Sequence, residues 1–200
     1  MRAAPGVLQS EGLIEKQHGR GNFVRRPIQP ITYTNDKVSA DTRAAFAAAL
    51  RVDVNTRQLR AEDRLMNLLQ VERGALIREY VYLSFQGCAP HSLAHIYVPQ
   101  AVAELDMPWR SSSPLGEDIR GHLAKAGIAV TSALDRATAR LASATEERVL
   151  RLGRGTAVLV VERMSMDAVG RVVEAALLIL PGHRADALFA THTPDPAVTE

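Results

Sequence analysis

The sequence predicts an α+β fold, an antiparallel sheet with helices packed on it. Three observations predict it. A helix-like segment, a glycine turn and a long apolar strand recur in the same order in both halves of the chain. Each of these strands is followed by a second glycine turn and another apolar strand, and each second strand stops at a proline.

In the first copy, Ala61 to Leu69 reads as a helix and leads through Val71-Glu72-Arg73-Gly74 into a strand over Ala75 to Phe85. Gly87 then turns the chain into a strand over Ser92 to Val98, which ends at Pro99. In the second copy, Ala144 to Leu150 leads through Leu152-Gly153-Arg154-Gly155 into Thr156 to Met166, and Gly170 precedes a strand over Arg171 to Leu180 that ends at Pro181. The offset of about eighty residues is too long for a solenoid and suits a duplicated helix–hairpin unit. Between the copies the pattern predicts a helix near Gln100 to Asp106, another over Leu115 to Ala126, and a strand over Ile128 to Arg140. Ser111-Ser112-Ser113-Pro114 is placed to cap the second of these helices; its serines at a helix N-terminus would also suit an anion.

The body is preceded by a different kind of segment. Glu11-Gly12-Leu13-Ile14-Glu15-Lys16-Gln17-His18-Gly19-Arg20-Gly21-Asn22-Phe23-Val24 reads as strand, glycine-rich turn, strand. Glycines permit the positive φ of a tight turn and let the backbone approach a partner closely. An arginine between two glycines at such a tip suits a phosphate or a minor-groove edge; an ordinary surface hairpin would look similar. Pro27-Ile28-Gln29-Pro30 breaks regular structure, Ile31 to Ser39 reads as an extended linker, and Thr42 to Leu50 has helical propensity. The expected organisation is therefore a hairpin-bearing piece over 1–26, a linker over 27–39, a body over 40–190 and a flexible tail over 191–200.

At 46% hydrophobic and 23% charged residues, the 200-residue chain can bury a sizeable core. The net charge of +2 is unevenly spread: residues 1–30 hold five basic and two acidic side chains, which leaves the remainder at −1. That fits a nucleic-acid-facing end on a near-neutral body. The single cysteine, Cys88, excludes an intramolecular disulfide and a cysteine-rich metal site, and suits a reducing cytoplasm. No signal peptide is legible, and the longest apolar runs, Ala44 to Leu50 and Ala175 to Leu180, are too short to span a bilayer. His91 and His95 stand four residues apart, but on a strand and without a third ligand they do not make a metal site. No G-x-S-x-G, P-loop or dinucleotide fingerprint occurs, so neither a catalytic residue nor a cofactor is expected.

Met1-Arg2-Ala3-Ala4, Leu8 and the stretch Glu11 to Val24 closely resemble the end of the winged helix-turn-helix in GntR-type regulators, where the pattern runs V-R-x-A-x-x-x-L-x-x-E-G-L-I-x-x-x-x-G-x-G-x-F-V. The resemblance implies binding to a double-stranded DNA operator through Arg2, His18, Gly19, Arg20 and Gly21. The body, over roughly 40–190, resembles UTRA, the effector-binding domain of the HutC branch, whose fold is similar to chorismate lyase. Gly74, Pro90, Tyr97-Val98-Pro99, Gly155, Arg163, Gly170 and Glu174 carry that likeness.

The family's sugar-phosphate sensors grip their ligand with an Arg-x-Arg pair and a glutamate. The corresponding positions here are Tyr82, Ser84 and Ala94. These departures remove charge, and neither tyrosine nor serine replaces a bidentate arginine. The resemblance therefore implies a small-molecule effector of low charge, bound near Tyr82, Ser84, Ala94, Ser113, Arg163, Glu174 and Arg184. The alternative for Arg163 and Glu174 is a buried ion pair with each other, and for Arg184 a solvated side chain.

Family members work as homodimers, two recognition helices meeting two half-sites. Here Met1 falls inside the third helix of the winged domain, and Pro5 replaces a leucine within it. Two readings follow: a start upstream of Met1, or a sensing and dimerisation module that no longer binds DNA. A lyase-like enzyme is a third reading, resting on fold analogy alone.

Overall fold

A computed structural model describes residues 30–34 and 50–189, together with the backbone of 14–17 and 21–24. Strands β1 (Ile14–Gln17) and β2 (Gly21–Val24) form an antiparallel hairpin with Ile14 opposite Val24 and Gln17 opposite Gly21. The two strands of the strand–turn–strand reading are present. Arg2, His18, Gly19, Arg20 and the expected helix over 42–49 lie outside the described residues.

The body is α+β. Its elements run β4 (Arg51–Arg60), α1 (Asp63–Leu69), β5 (Leu76–Gln86), β6 (Ala89–Pro99), β7 (Arg110–Ser111), α2 (Ile119–Lys125), β8 (Ser132–Leu141), α3 (Ala144–Leu150), β9 (Ala157–Met166), β10 (Val172–Pro181), a short 3-10 turn (Gly182–Arg184) and β11 (Ala185–Leu188). Seven strands form one antiparallel sheet in the order β7-β4-β5-β6-β10-β9-β8. Strand β3 (Ile31–Thr34) lies apart from it, paired in parallel with β11.

The duplication is larger than a helix and a hairpin. Each copy also begins with a strand, so that β4-α1-β5-β6 matches β8-α3-β9-β10. Ala61 N–H donates to Ala75 O at 2.8 Å, and 81 residues later Ala142 N–H donates to Thr156 O at 3.0 Å. Both helices end on a left-handed residue, Gln70 (φ 53°) and Arg151 (φ 52°), where an αL cap closes the last turn. The inner strands of the two copies, β6 and β10, pair from Leu93–Ile179 to Tyr97–Ala175, which fuses the halves. Helices cover both faces, so these central strands are apolar on both sides; β10 is buried at every position.

Helices α1 and α3 pack on one face, over Ile77, Leu93, Val158, Ala175 and Ile179. The other face is covered by α2, by the β3–β11 pair and by the 100–118 connection, over Tyr80, Tyr82, Ile96, Ala176 and Leu178. Two expected elements differ here. Residues 100–106 form a turn and then irregular chain rather than a helix. Val102 N–H and Ala103 N–H both close on Pro99 O, Tyr80 Oη donates to Leu105 O at 3.0 Å, and Pro108 disfavours helix before it. The expected helix over 115–126 begins only at Ile119, because Gly116 adopts φ +75° in a turn pressed against Ile96 and Tyr82. The serines do not cap it. Ser111 Oγ instead donates to Asp118 Oδ2 at 2.6 Å and accepts Ser113 N–H at 2.8 Å.

Candidate functional site

Strand alternation decides which side chains meet under α2. One row crosses the sheet through Tyr82, Ala94 and Leu178; the next runs through Tyr80, Ile96, Ala176, Arg163 and Asp135. Ser84 on β5, Glu174 on β10 and Ser165 on β9 belong to the same face. The expected residues Tyr82, Ser84, Ala94, Arg163 and Glu174 therefore share one side of one sheet.

Tyr82 and Ser84 are fully buried, and both hydroxyls are engaged by the loop above them. Tyr82 Oη donates to Asp118 Oδ1 at 3.0 Å, and Ser84 Oγ donates to Pro114 O at 3.0 Å. Burial, reinforced by Asp118, pushes the Tyr82 phenol well above its ordinary pKa. These side chains hold the 111–118 loop down on the sheet. Ala94 is fully buried between Tyr82 and Leu178, and Ser113 lies within that loop.

Arg163 is not paired with Glu174. Its Nε donates to Asp135 Oδ1 at 2.9 Å, across the β8–β9 pair, and its Nη2 donates to Tyr33 Oη. Tyr33 in turn donates to Asp135 Oδ2 at 2.5 Å. This closed triangle is buried: Tyr33 is 2% exposed and Arg163 8%. Burial, with the Asp135 hydrogen bond, pushes the Tyr33 phenol up to about 12, so it is a neutral donor at physiological pH.

Glu174, 2% exposed, lies two residues from Ala176 along β10. Its Oε2 is buried without a hydrogen-bond partner, and Arg120 Nε on α2 lies 4.0 Å from it. Burial raises its pKa against the opposing effects of Ser165 and Arg120. A carboxylate left in this condition is costly.

Arg184 is not solvated. It reaches from the 3-10 turn to β6, where Nη2 donates to Pro90 O at 2.8 Å and His91 O at 2.9 Å. Burial, aided by Arg184, lowers the His91 pKa to about 4. His95 lies on the opposite side of the molecule's chemistry, with Nδ1 2.8 Å from buried Glu79. Four residues of strand separate the two histidines by roughly 13 Å.

A shallow cleft at the edge of this face is lined by Thr32, Tyr33, Thr34, Leu115, Glu117, Arg163 and Leu178, with about 10 Å³ of space, room for roughly one water molecule. Sequence reasoning missed Tyr33, Asp135, Asp118 and Arg120. The first two left a signal: Ile31-Thr32-Tyr33-Thr34 alternates apolar and polar as a strand does, and Asp135 interrupts an otherwise plain alternating segment. Among the described residues no group of three metal-ligating side chains occurs, and no helix is long and apolar enough to cross a membrane.

The UTRA domain family matches residues 51–186. The chain belongs to the UTRA domain family. An uncharacterized HTH-type transcriptional regulator of Streptomyces coelicolor is 27% identical over 97% of this chain and 78% of its own length. An HTH-type transcriptional regulator of Mycobacterium tuberculosis is 26% identical over 88% of this chain; this chain spans 65% of that protein. Among solved structures, PhnF from Mycobacterium smegmatis superposes with a TM-score of 0.67 at 22% identity, covering 96% of this chain and 83% of that one. At that identity the likeness establishes the fold, α+β with an antiparallel sheet.

Proposed function

We propose that this protein is a ligand-responsive transcriptional regulator of the GntR type, HutC branch. The UTRA body binds a small effector on the sheet face beneath α2, and the segment bearing the β1–β2 hairpin contacts operator DNA. The observation that supports the reading is the coupling of a UTRA domain to the β1–β2 strand pair, with the sequence Gly19-Arg20-Gly21 following β1, within one alignment to an HTH-type regulator. The proposed organisation is a partial winged piece over 1–26, a linker from 27, and an effector domain to about 190. A symmetric homodimer would present two such hairpins to two half-sites.

Tyr82, Ser84 and Ala94 stand where sugar-phosphate sensors carry charge, which favours an effector of low charge. In this reading Arg163 and Glu174 supply the remaining polar contacts, while Ser113 and Arg184 frame the loop and the strand end.

Fluorescence anisotropy with the DNA upstream of the protein's own gene tests the proposal, and sedimentation of the same sample reads its assembly. The expected result is saturable binding by a dimer, with Arg20→Ala weakening it and lowering the salt slope by about one phosphate contact. Equal affinity and equal salt slope for Arg20→Ala would remove the hairpin from the interface.

A further inference from the structure

Tyr33 belongs to the short strand that leads from the hairpin segment into the body, yet its side chain completes the polar site on the sheet. We propose that Tyr33 is a built-in occupant of the effector site, and that the effector carries a neutral hydroxyl, phenol-like in its contacts, which replaces the Tyr33 hydroxyl between Arg163 and Asp135. The inference rests on the regulatory reading above and names the ligand chemistry of that site.

The chemistry follows from the pair itself. Arg163 Nη2 presents a donor and Asp135 Oδ2 an acceptor, and a single hydroxyl satisfies both, as Tyr33 does. A phosphate dianion offers only acceptors and would lie against the Asp135 carboxylate. An ammonium offers only donors and would face the Arg163 guanidinium. Arg163 and Asp135 stay bonded to each other at 2.9 Å through a separate nitrogen and oxygen, so the pair survives when Tyr33 leaves. The space is supplied by the same departure: Tyr33 and its neighbours Thr32 and Thr34 form one wall of the cleft, with Leu115, Glu117 and Leu178 opposite.

Displacement has a mechanical consequence. Strand β3 is joined to the body by the parallel ladder to β11, Ile31–Ala185 to Thr34–Leu188, and by the Tyr33 hydroxyl and ring, which meets Phe189 edge-on at 6.2 Å. An effector that takes the hydroxyl's place removes the polar half of that attachment. The free energy of seating Tyr33 is then subtracted from effector binding and returned as a change in how β3 is held, which is a coupling between the two ends of the chain.

The probe is p-cresol, the tyrosine side chain itself, with toluene and phenyl phosphate as comparisons, and the full chain is used throughout. Calorimetry should find p-cresol binding Tyr33→Ala about tenfold tighter than wild type, since no resident hydroxyl has to leave. On Tyr33→Ala, toluene and phenyl phosphate should each bind about tenfold more weakly than p-cresol. Tyr33→Phe, which keeps the ring and the packing, should bind p-cresol more tightly than wild type and guards against misfolding of the alanine variant. In wild type, saturating p-cresol should speed amide exchange at Ile31 to Thr34. Equal p-cresol affinity in wild type and both variants, or no preference over toluene, or unchanged exchange in β3, would each overturn the proposal. None of these readings involves DNA. A chain that behaves as stated toward p-cresol but binds no operator would contradict the regulatory reading instead.

Discussion

At the scale of single residues, Glu174 is the most informative side chain. It is a carboxylate on a fully buried strand with one oxygen unpartnered, and burial raises its pKa. A group whose folded pKa is raised favours folding when protonated, below its unfolded pKa, and loses that contribution as pH rises through the folded value. Glu174→Gln should therefore stabilise the protein at pH 7 by about 1–3 kcal/mol, or roughly 2–4 °C in Tm per kcal/mol. The difference should shrink toward pH 4, and effector binding should be lost. A thermal melt at the two pH values decides this: a glutamine variant less stable at pH 7 would make Glu174 part of the scaffold. Glu146 is the opposite case. Arg140 and the Ser143 backbone N–H hold its carboxyl down to about 2 against the effect of burial, and with Ser143 it forms a reciprocal cap on α3. Its contribution is present above the unfolded carboxylate pKa and disappears as pH falls toward 2. A Glu146→Gln variant should show a flatter loss of stability between about pH 4.5 and pH 2 than wild type, measured by urea unfolding.

At the scale of elements, the 111–118 loop depends on Gly116. A Cβ there would meet Ile96 Cγ1 at 2.7 Å, and the residue already holds φ +75°. Gly116→Ala should cost roughly 2–4 kcal/mol, from backbone strain and overpacking together. Gly170→Ala has φ +79° but nothing within 4 Å, so it should cost only about 1 kcal/mol, from strain alone. Similar losses for the two variants, compared by urea unfolding, would show that the loop is not pressed against the sheet.

Elements whose residues carry their own signal were legible. The apolar runs of β5, β6, β9 and β10, and the capped helices α1 and α3, lie within a few residues of expectation. Strand β4 was not: Arg51-Val52-Asp53-Val54-Asn55-Thr56-Arg57-Gln58-Leu59-Arg60 is polar because it is mostly exposed toward the edge of the sheet, and pairing with β5 rather than burial makes it a strand. The helix expected at 100–106 failed for the converse reason. Its residues favour helix, but Tyr80 takes the Leu105 carbonyl and Pro108 follows. Arg163, Glu174, Tyr82, Ser84 and Ala94 were legible only through the family resemblance, and strand alternation in the structure sets them on one face; the partners Asp135 and Tyr33 come from strands distant in sequence, and no local pattern announces such a contact.

At the scale of the whole molecule, the duplicated strand–helix–hairpin units build a double-faced sheet with buried polar groups on both faces: Glu79 with His95 and Arg57 beneath α1 and α3, and the Tyr33–Arg163–Asp135 triangle on the other side. What joins that site to the rest of the chain is β3, through Tyr33. The proposed regulation requires that the hairpin end and the sheet face influence one another, and in that proposal Tyr33, held by Arg163 and Asp135, is the residue that would couple them. The most direct measurement is the affinity of wild type and Tyr33→Ala for operator DNA, by anisotropy at one fixed salt concentration and with no ligand present. Loss of the anchor imitates the displaced state, so the two affinities should differ by about fivefold or more, in whichever direction the effector acts. Identical affinities, from a Tyr33→Ala protein whose melt shows it folded, would contradict the coupling.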